Sequence, residues 1–170
     1  MVLEKMDNIQ LYIEKCLDEE IRLLISDFAI LWNKFENDFF EQNYHFCKFE
    51  DKVLCRIDIK NIDLKKKIYT LKDELFIYFE SRGIDTPPIS SEKIICNYNI
   101  RIPNDITKNR LDEIIKCEGT KNTLMFIMLI VGRVRNNMFH GIKDIGDLPK
   151  QRQLFKICNE VLKLMLERNF

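Results

Sequence analysis

Residues 122–141 read NTLMFIMLIVGRVRNNMFHG, a long apolar run followed by a short polar end. The eight consecutive apolar residues 124–131 are far fewer than the roughly 20 that a transmembrane helix requires. Such a run predicts a helix in the core of a folded domain, because all of its faces are apolar. Thr120 or Asn122 is expected to open this helix, and Gly141 is expected to end it.

Size and composition predict a single domain that spans residues 1–170. The chain has 170 residues, of which 46% are apolar and 32% charged, as is typical of a folded globular protein. Five glycines and four prolines leave few breaks, which favours long helices over many short strands. Residues 84–103 hold three of those prolines and are predicted to form a loop or a small extended insert.

The N-terminal part of the chain predicts helix. Apolar residues recur at steps of three and four from Ile21 to Phe40, the spacing of an amphipathic helix. The acidic residues 18–20 would open it, since acidic groups in a first turn oppose the positive end of the helix dipole. A similar pattern from Ile9 to Cys16 leaves open whether this is one bent helix or two.

The rest of the chain predicts an all-α bundle of four or five main helices. Residues 43–61 predict a loop or a short helix. Three further helices are expected: one capped by Asp63 that runs to Ser81 and is ended by Gly83, one from Asp105 to Cys117 ended by Gly119, and one from Leu148 to about Arg168.

Charge is balanced overall but unevenly distributed. There are 27 basic and 27 acidic residues, so the chain is not a strongly basic nucleic-acid binder. Residues 1–51 carry 5 Lys and Arg against 12 Asp and Glu, whereas residues 133–170 carry 8 against 4. The second imbalance surrounds His140 and would suit an anionic substrate.

The cysteines and the N-terminus predict a cytoplasmic protein without a metal or another cofactor. The six cysteines are scattered without a CxxC pair, and the N-terminus is charged from Glu4, unlike a signal peptide. A set of His45, Cys47 and Cys55 could be imagined, but its spacing matches no common zinc site. There is no Gly-rich phosphate loop.

The polar end of the core helix gathers most of the reactive chemistry of the chain. With about 100° per residue, four of its polar side chains share one face: Arg133, Asn136, Asn137 and His140. Val134 and Met138 point to the opposite side, towards the core. Arg135 lies about 140° from His140. These two therefore meet only if the helix unwinds at residues 139–140 or if a partner subunit completes the site.

These residue types suit the cleavage of RNA. Histidine exchanges protons near neutral pH, and an arginine fork matches phosphate oxygens. Asparagine can orient either group. Because the ribose 2′-hydroxyl is an internal nucleophile, such a set needs no metal. Taken alone, His140 before Gly141 also fits a helix C-cap, where a cation meets the negative end of the dipole.

The stretch Arg135-Asn136-Asn137-Met138-Phe139-His140-Gly141 resembles the signature of the HEPN superfamily, an arginine followed after four to six residues by histidine. With Lys143 after it, the stretch is especially similar to the Apea-like branch. A polar residue usually follows the arginine of this signature. Asn136 meets that requirement and Val134 does not, so the resemblance selects Arg135 rather than Arg133.

The resemblance implies a HEPN-like helical domain that forms a homodimer with a composite active site. It implies a metal-independent endoribonuclease that leaves a 2′,3′-cyclic phosphate, in a toxin–antitoxin system or in phage defence, with an antitoxin or a regulatory protein as a further partner. The catalytic residues would be Arg135 on the phosphate, Asn136 as a positioning group and His140 for the proton. Arg133, Asn137 and Lys143 would contact the RNA.

Two features limit what the motif predicts. Some HEPN toxins carry a tyrosine two residues after the histidine, which a nucleotidyltransferase modifies, but this chain has Ile142 there. Two alternatives also remain: a non-catalytic module for dimerisation or for binding nucleotide or RNA, and a purely structural role in which Arg135 pairs with Glu113 or Asp144.

Overall fold

The computed structural model describes residues 11, 13–87, 93, 106–139 and 145–167. Five helices of eight or more residues make up most of these ranges: α1 Glu19–Phe40, α2 Ile62–Glu80, α3 Lys108–Ile115, α4 Gly119–Phe139 and α5 Arg152–Glu167. Shorter helical turns are Phe46–Lys48, Phe49–Lys52, Leu54–Arg56 and Ile145–Gln151. The described residues contain no β-strand, so the all-α prediction is confirmed for this part of the chain.

Helices α4 and α5 form the centre of the bundle. Helix α5 packs on α1 and α2, and α4 packs on α2 and α3. Residues 124–131 of α4 are all buried, as predicted for a core helix. Asn159 of α5 donates to the carbonyl of Leu24 at 3.0 Å, and Arg152 bonds Asp18, so α1 and α5 run in the same direction. No helix in the described ranges combines the length and apolar content that a bilayer span needs.

Local capping explains where α1 and α2 begin. The Asp18 carboxylate accepts the backbone N–H of Ile21 at 3.0 Å, as expected, and the break there separates α1 from the helical residues 13–16. The cap of α2 is Asn61, which accepts the N–H of Leu64 at 2.9 Å. The predicted cap, Asp63, was wrong by two residues. Both Asn and Asp can cap a helix, and Asp63 lies inside the first turn of α2.

Three other predicted boundaries can be compared with the structure. Gly83 follows α2 and has a φ of 68°, as expected for the glycine that was predicted to end this helix. Gly119 is instead the first residue of α4, and Cys117 takes the left-handed conformation after α3, with φ 52°. The last helix begins at Arg152, after the 3₁₀ turn that contains Pro149. The predicted insert 84–103 lies outside the described residues apart from 84–87 and Lys93, as does Gly141.

The chain reverses sharply after α1. Glu41 and Gln42 both have positive φ, 52° and 66°, and their N–H groups both bond the carbonyl of Glu36. This reversal brings Tyr44 back against α1, where its ring meets those of Trp32 and Phe40 edge-on, each with centroids 4.9 Å apart. The left-handed turn therefore closes the aromatic end of α1.

Substituting Glu41 by glycine is expected to stabilise the fold. The left-handed conformation costs a residue with a side chain about 1–2 kcal/mol, part of which glycine recovers despite its greater freedom when unfolded. We expect Glu41→Gly to raise the free energy of unfolding by about 0.5–1 kcal/mol in urea denaturation. Glu41→Ala is the control, since it removes the charge and keeps the strain. An equal gain in both variants would assign the effect to charge.

Candidate functional site

The carboxylate of Glu36 lies at the C-terminal end of α1 and is largely buried, with 14% of its side chain exposed. Its Oε2 accepts the indole N–H of Trp32, one helical turn earlier, at 3.0 Å. Its Oε1 accepts the backbone N–H of Tyr44 at 3.1 Å, across the reversal that follows α1. Both oxygens are thus oriented by neutral donors, as a poorly solvated carboxylate requires.

Arg135 approaches this carboxylate from the last two turns of α4. Its Nη2 is 3.6 Å from Glu36 Oε2, and its Cζ is 5.8 Å from the centre of the Trp32 ring. Its Nη1 donates to the side-chain oxygen of Asn136 at 3.2 Å. The guanidinium is therefore restrained by an anion, an aromatic face and an amide, while 30% of the side chain stays exposed.

Glu36 is the site residue that the sequence analysis missed. It lies 99 positions before Arg135, and a helical wheel drawn on one helix contains no information about such a pair. The proposed partner Glu113 instead bonds Arg110 at 2.8 Å, so that assignment was wrong, while Asp144 lies outside the described residues. The only local signal was an acidic side chain at the border of the apolar face of α1.

The other motif residues differ in exposure. Asn136 is exposed, but Asn137 is only 8% exposed, and its Oδ1 accepts no hydrogen bond. The Nε of Arg133 is also buried and donates none, and burial lowers the pKa of its guanidinium from the ordinary value. Val134 is buried, and Met138 packs against the core, as predicted.

The motif continues beyond the described residues. His140 and Lys143 lie outside them, so their predicted roles stay predictions. Helix α4 is α-helical through Phe139, which excludes unwinding between Arg135 and Phe139. Two ways to join Arg135 and His140 therefore remain: a change of direction after residue 139, or a site completed by a partner subunit.

A buried phenol lies beside the motif. Tyr44 Cε1 would be 3.6 Å, and its Oη 3.9 Å, from a Cβ atom placed on Gly132, so the residue after α1 contacts α4 closely. The Tyr44 hydroxyl is buried and forms no hydrogen bond with any of the described residues. Burial, with smaller contributions from Cys47 and Glu36, raises the pKa of this phenol far above its ordinary value. The phenol therefore stays neutral near physiological pH.

Intramolecular pairs consume part of the basic excess of residues 133–170. Arg152 bonds Asp18 and Glu20, and Lys156 pairs with Glu20 at 2.6 Å. These contacts join the acidic N-terminal segment to α5. Arg152 and Lys156 are therefore partly neutralised within the chain, which reduces the excess that was expected to suit an anionic substrate.

The histidine and cysteine side chains form no metal cluster in the described part of the chain. No group of three His, Cys, Asp or Glu side chains with metal-binding geometry occurs there, and His45 is exposed. Comparison with protein-family models, with curated proteins and with solved structures finds no match for this chain. Function must therefore be inferred from the motif and from the contacts of its described residues.

Removing the Tyr44 hydroxyl is expected to stabilise the protein. A buried hydroxyl without a partner loses its hydration and gains nothing in return. We expect Tyr44→Phe to raise the free energy of unfolding by about 1 kcal/mol in chemical denaturation. Tyr69→Phe on α2, where the ring is partly exposed, is the matched control and should change stability little. A loss of stability in Tyr44→Phe would mean that the hydroxyl has a partner.

Proposed function

We propose that this chain is a metal-independent endoribonuclease of the HEPN type, in which the ribose 2′-hydroxyl of the RNA substrate attacks the neighbouring phosphate. We place it among cytoplasmic toxins or phage-defence effectors. The proposal is supported by the motif and by one observation, the restraint of the half-buried Arg135 guanidinium between Glu36 and Trp32.

The reaction needs no reactant other than RNA. A bond forms between the 2′-oxygen and phosphorus, and the bond from phosphorus to the 5′-oxygen breaks. The proton of the 2′-hydroxyl leaves to a base, and a proton reaches the departing 5′-oxygen. The products are a 2′,3′-cyclic phosphate and a 5′-hydroxyl, so atoms and charge balance without water.

All but one of the predicted site residues have a task in this scheme. His140 exchanges the proton, since imidazole titrates near neutral pH. Arg135 neutralises the charge that develops on the phosphate oxygens, and the exposed amide of Asn136 orients the phosphate or the sugar. Arg133 and Lys143 add positive charge for the RNA backbone. Asn137 was predicted to contact the RNA, but only 8% of it is exposed, so it has no task in this scheme.

Preorganisation is the reason why the contacts of Arg135 matter. A guanidinium that is held before substrate arrives needs little reorganisation when charge develops, which makes its interaction with the transition state stronger. Glu36 and Trp32 hold it from the α1 side, and the exposed part of the side chain is accessible to a phosphate. A homodimer would bring a second motif to the same cleft, and an antitoxin would act by covering it.

The proposal predicts that two substitutions abolish RNA cleavage in the presence of EDTA. We expect His140→Ala to lower the rate about 10²–10⁴-fold and Arg135→Ala about 10²–10³-fold, the ranges for lost proton transfer and lost charge stabilisation. The measurement is cleavage of a labelled RNA, with analysis of the product ends for cyclic phosphate.

The second histidine of the chain provides the control. His45 follows Tyr44, which contacts the site, but its own side chain is exposed and has no task in the scheme, so His45→Ala should cleave RNA like the wild type. Arg135→Lys keeps the positive charge but loses the planar fork, and should retain only part of the activity. Cleavage that survives both His140→Ala and Arg135→Ala would disprove the proposal.

A second candidate is a non-catalytic module that binds nucleotide or RNA, or that only dimerises. The Glu36–Arg135 contact favours it, because it gives the motif arginine a structural partner within the chain. This candidate predicts a folded protein that binds RNA without product formation, and that loses stability when the pair is broken.

A double-mutant cycle separates the two candidates. The variants are Glu36→Gln, Arg135→Gln and the double substitution, each measured for unfolding free energy and for cleavage. Because the pair is long and partly exposed, we expect a coupling of only about 0–1 kcal/mol in stability. Arg135→Gln should abolish cleavage whether residue 36 is Glu or Gln. A large coupling in stability together with no cleavage by the wild type would favour the structural role.

A further inference from the structure

Cations without carboxylate partners concentrate between residues 52 and 67. This segment of 16 residues holds six basic residues against two acidic ones, so its excess equals that of residues 133–170 but lies in a much shorter stretch. Five of the six are exposed: Arg56, Lys60, Lys65, Lys66 and Lys67. These five are called the α2 basic surface below. None of them forms an ion pair with a carboxylate of the described residues.

Cations elsewhere in the described ranges are commonly paired. Lys34, Lys150 and Lys163 each bond an acidic residue three or four positions away on their own helical segment, at 2.9, 2.7 and 3.0 Å. Lys121 and Arg110 share Glu50. The α2 basic surface therefore stands out as five neighbouring cations whose charge no carboxylate of the described residues compensates.

The surface surrounds the N-terminal end of α2. Successive residues of a helix point about 100° apart, so Lys65, Lys66 and Lys67 spread over most of its circumference. The positive end of the α2 dipole, which Asn61 caps, adds to the same potential.

This end of α2 lies at the end of the bundle that carries the motif arginine. Arg56 donates to the carbonyl of Asp38 at 3.5 Å, and its Cζ is 5.5 Å from the centre of the Phe39 ring. Both contacts are in the last turn of α1, within about 5 Å of helix rise from Glu36, the partner of Arg135. The α2 basic surface and Arg135 therefore share one end of the bundle.

Neighbouring acidic residues restrict where a polyanion can lie. Lys66, Lys67 and Lys163 border a groove of about 350 Å³ between α2 and α5, which Glu74, Glu160 and Glu167 also line. Positive and negative charges therefore balance inside the groove. The uncompensated positive charge lies on the outer side, around the start of α2, and a nucleic-acid strand is expected there.

We infer that the α2 basic surface binds the backbone of single-stranded RNA on either side of the cleaved nucleotide. This inference rests on the proposed ribonuclease function and adds the surface that holds its substrate. Several uncompensated cations around a helix end suit a flexible polyanion. A membrane surface would need a broad apolar stripe next to the lysines, whereas Ile62 is the one large apolar side chain there that is strongly exposed.

The test measures the salt dependence of RNA binding. His140→Ala serves as the background that does not cleave, and Lys65, Lys66 and Lys67 are replaced by Gln together. The probe is a short, unstructured, fluorescein-labelled RNA, followed by anisotropy between about 50 and 200 mM salt. Each lost phosphate contact should make the slope of log K against log salt shallower by roughly 0.7. We therefore expect the slope of the triple variant to be shallower by about 2, and its affinity for RNA at low salt to fall on the order of tenfold.

A matched triple variant controls for net charge. Lys34, Lys150 and Lys156, which are already paired, are replaced by Gln in the same background, which removes three charges as well. An equal loss of slope in both triples would overturn the inference, as would an unchanged slope in the first. Circular dichroism verifies that both variants are folded.

Two further measurements separate the possible failures. Cleavage by the wild-type chain tests the proposed function on its own. If the wild type cleaves RNA but the triple variant of α2 keeps the wild-type salt slope, only the inference about the α2 basic surface is contradicted. Binding to vesicles of phosphatidylserine and phosphatidylcholine is measured in parallel. Loss of vesicle binding without loss of RNA binding in the α2 triple would assign the surface to a membrane and overturn the inference.

Discussion

The burial of one carboxylate organises the end of the bundle that carries the motif. Glu36 has little access to water, so its charge must be met by donors from the protein. Trp32 supplies one donor from within α1, and Tyr44 supplies a second only because the chain reverses through two left-handed residues. The third, Arg135, comes from α4. The same requirement therefore sets the path of the chain after α1 and the position of the motif arginine.

Elements that depend on local sequence could be predicted well. The apolar run 124–131 forms a helix that is buried on all sides, and Asp18 caps α1 because its carboxylate reaches an N–H three residues later. Errors arose where two residues could serve the same local purpose. Asn61 and Asp63 are both capable caps, and Cys117 takes a left-handed conformation two residues before Gly119, which has a positive φ as well. Steric preference alone does not decide between such neighbours.

Contacts between distant segments could not be predicted from pattern. The Glu36–Arg135 pair joins helices that lie far apart in sequence, and a helical wheel of either one contains no trace of the other. For the same reason, the net charge of a segment did not predict which of its charged side chains are paired with distant residues. Residues 133–170 carry a basic excess, yet Arg152 and Lys156 are neutralised by Asp18 and Glu20. Among the described residues, the uncompensated charge concentrates instead at the start of α2.

Three buried polar atoms without a partner among the described residues lie around the polar end of α4, while Arg22 Nε on α1 and Asn159 Oδ1 on α5 are two further examples elsewhere. The Tyr44 hydroxyl lies against Gly132, and the following residues of that helix contribute Arg133 Nε and Asn137 Oδ1. Each such group lowers stability, and a helix selected only for packing would carry apolar side chains at these positions. Proteins tolerate such costs mainly at functional sites, where the residues serve a purpose other than stability. The three atoms beside Arg135 are therefore consistent with the proposal that the end of α4 carries chemistry, and the RNA-cleavage measurements decide it.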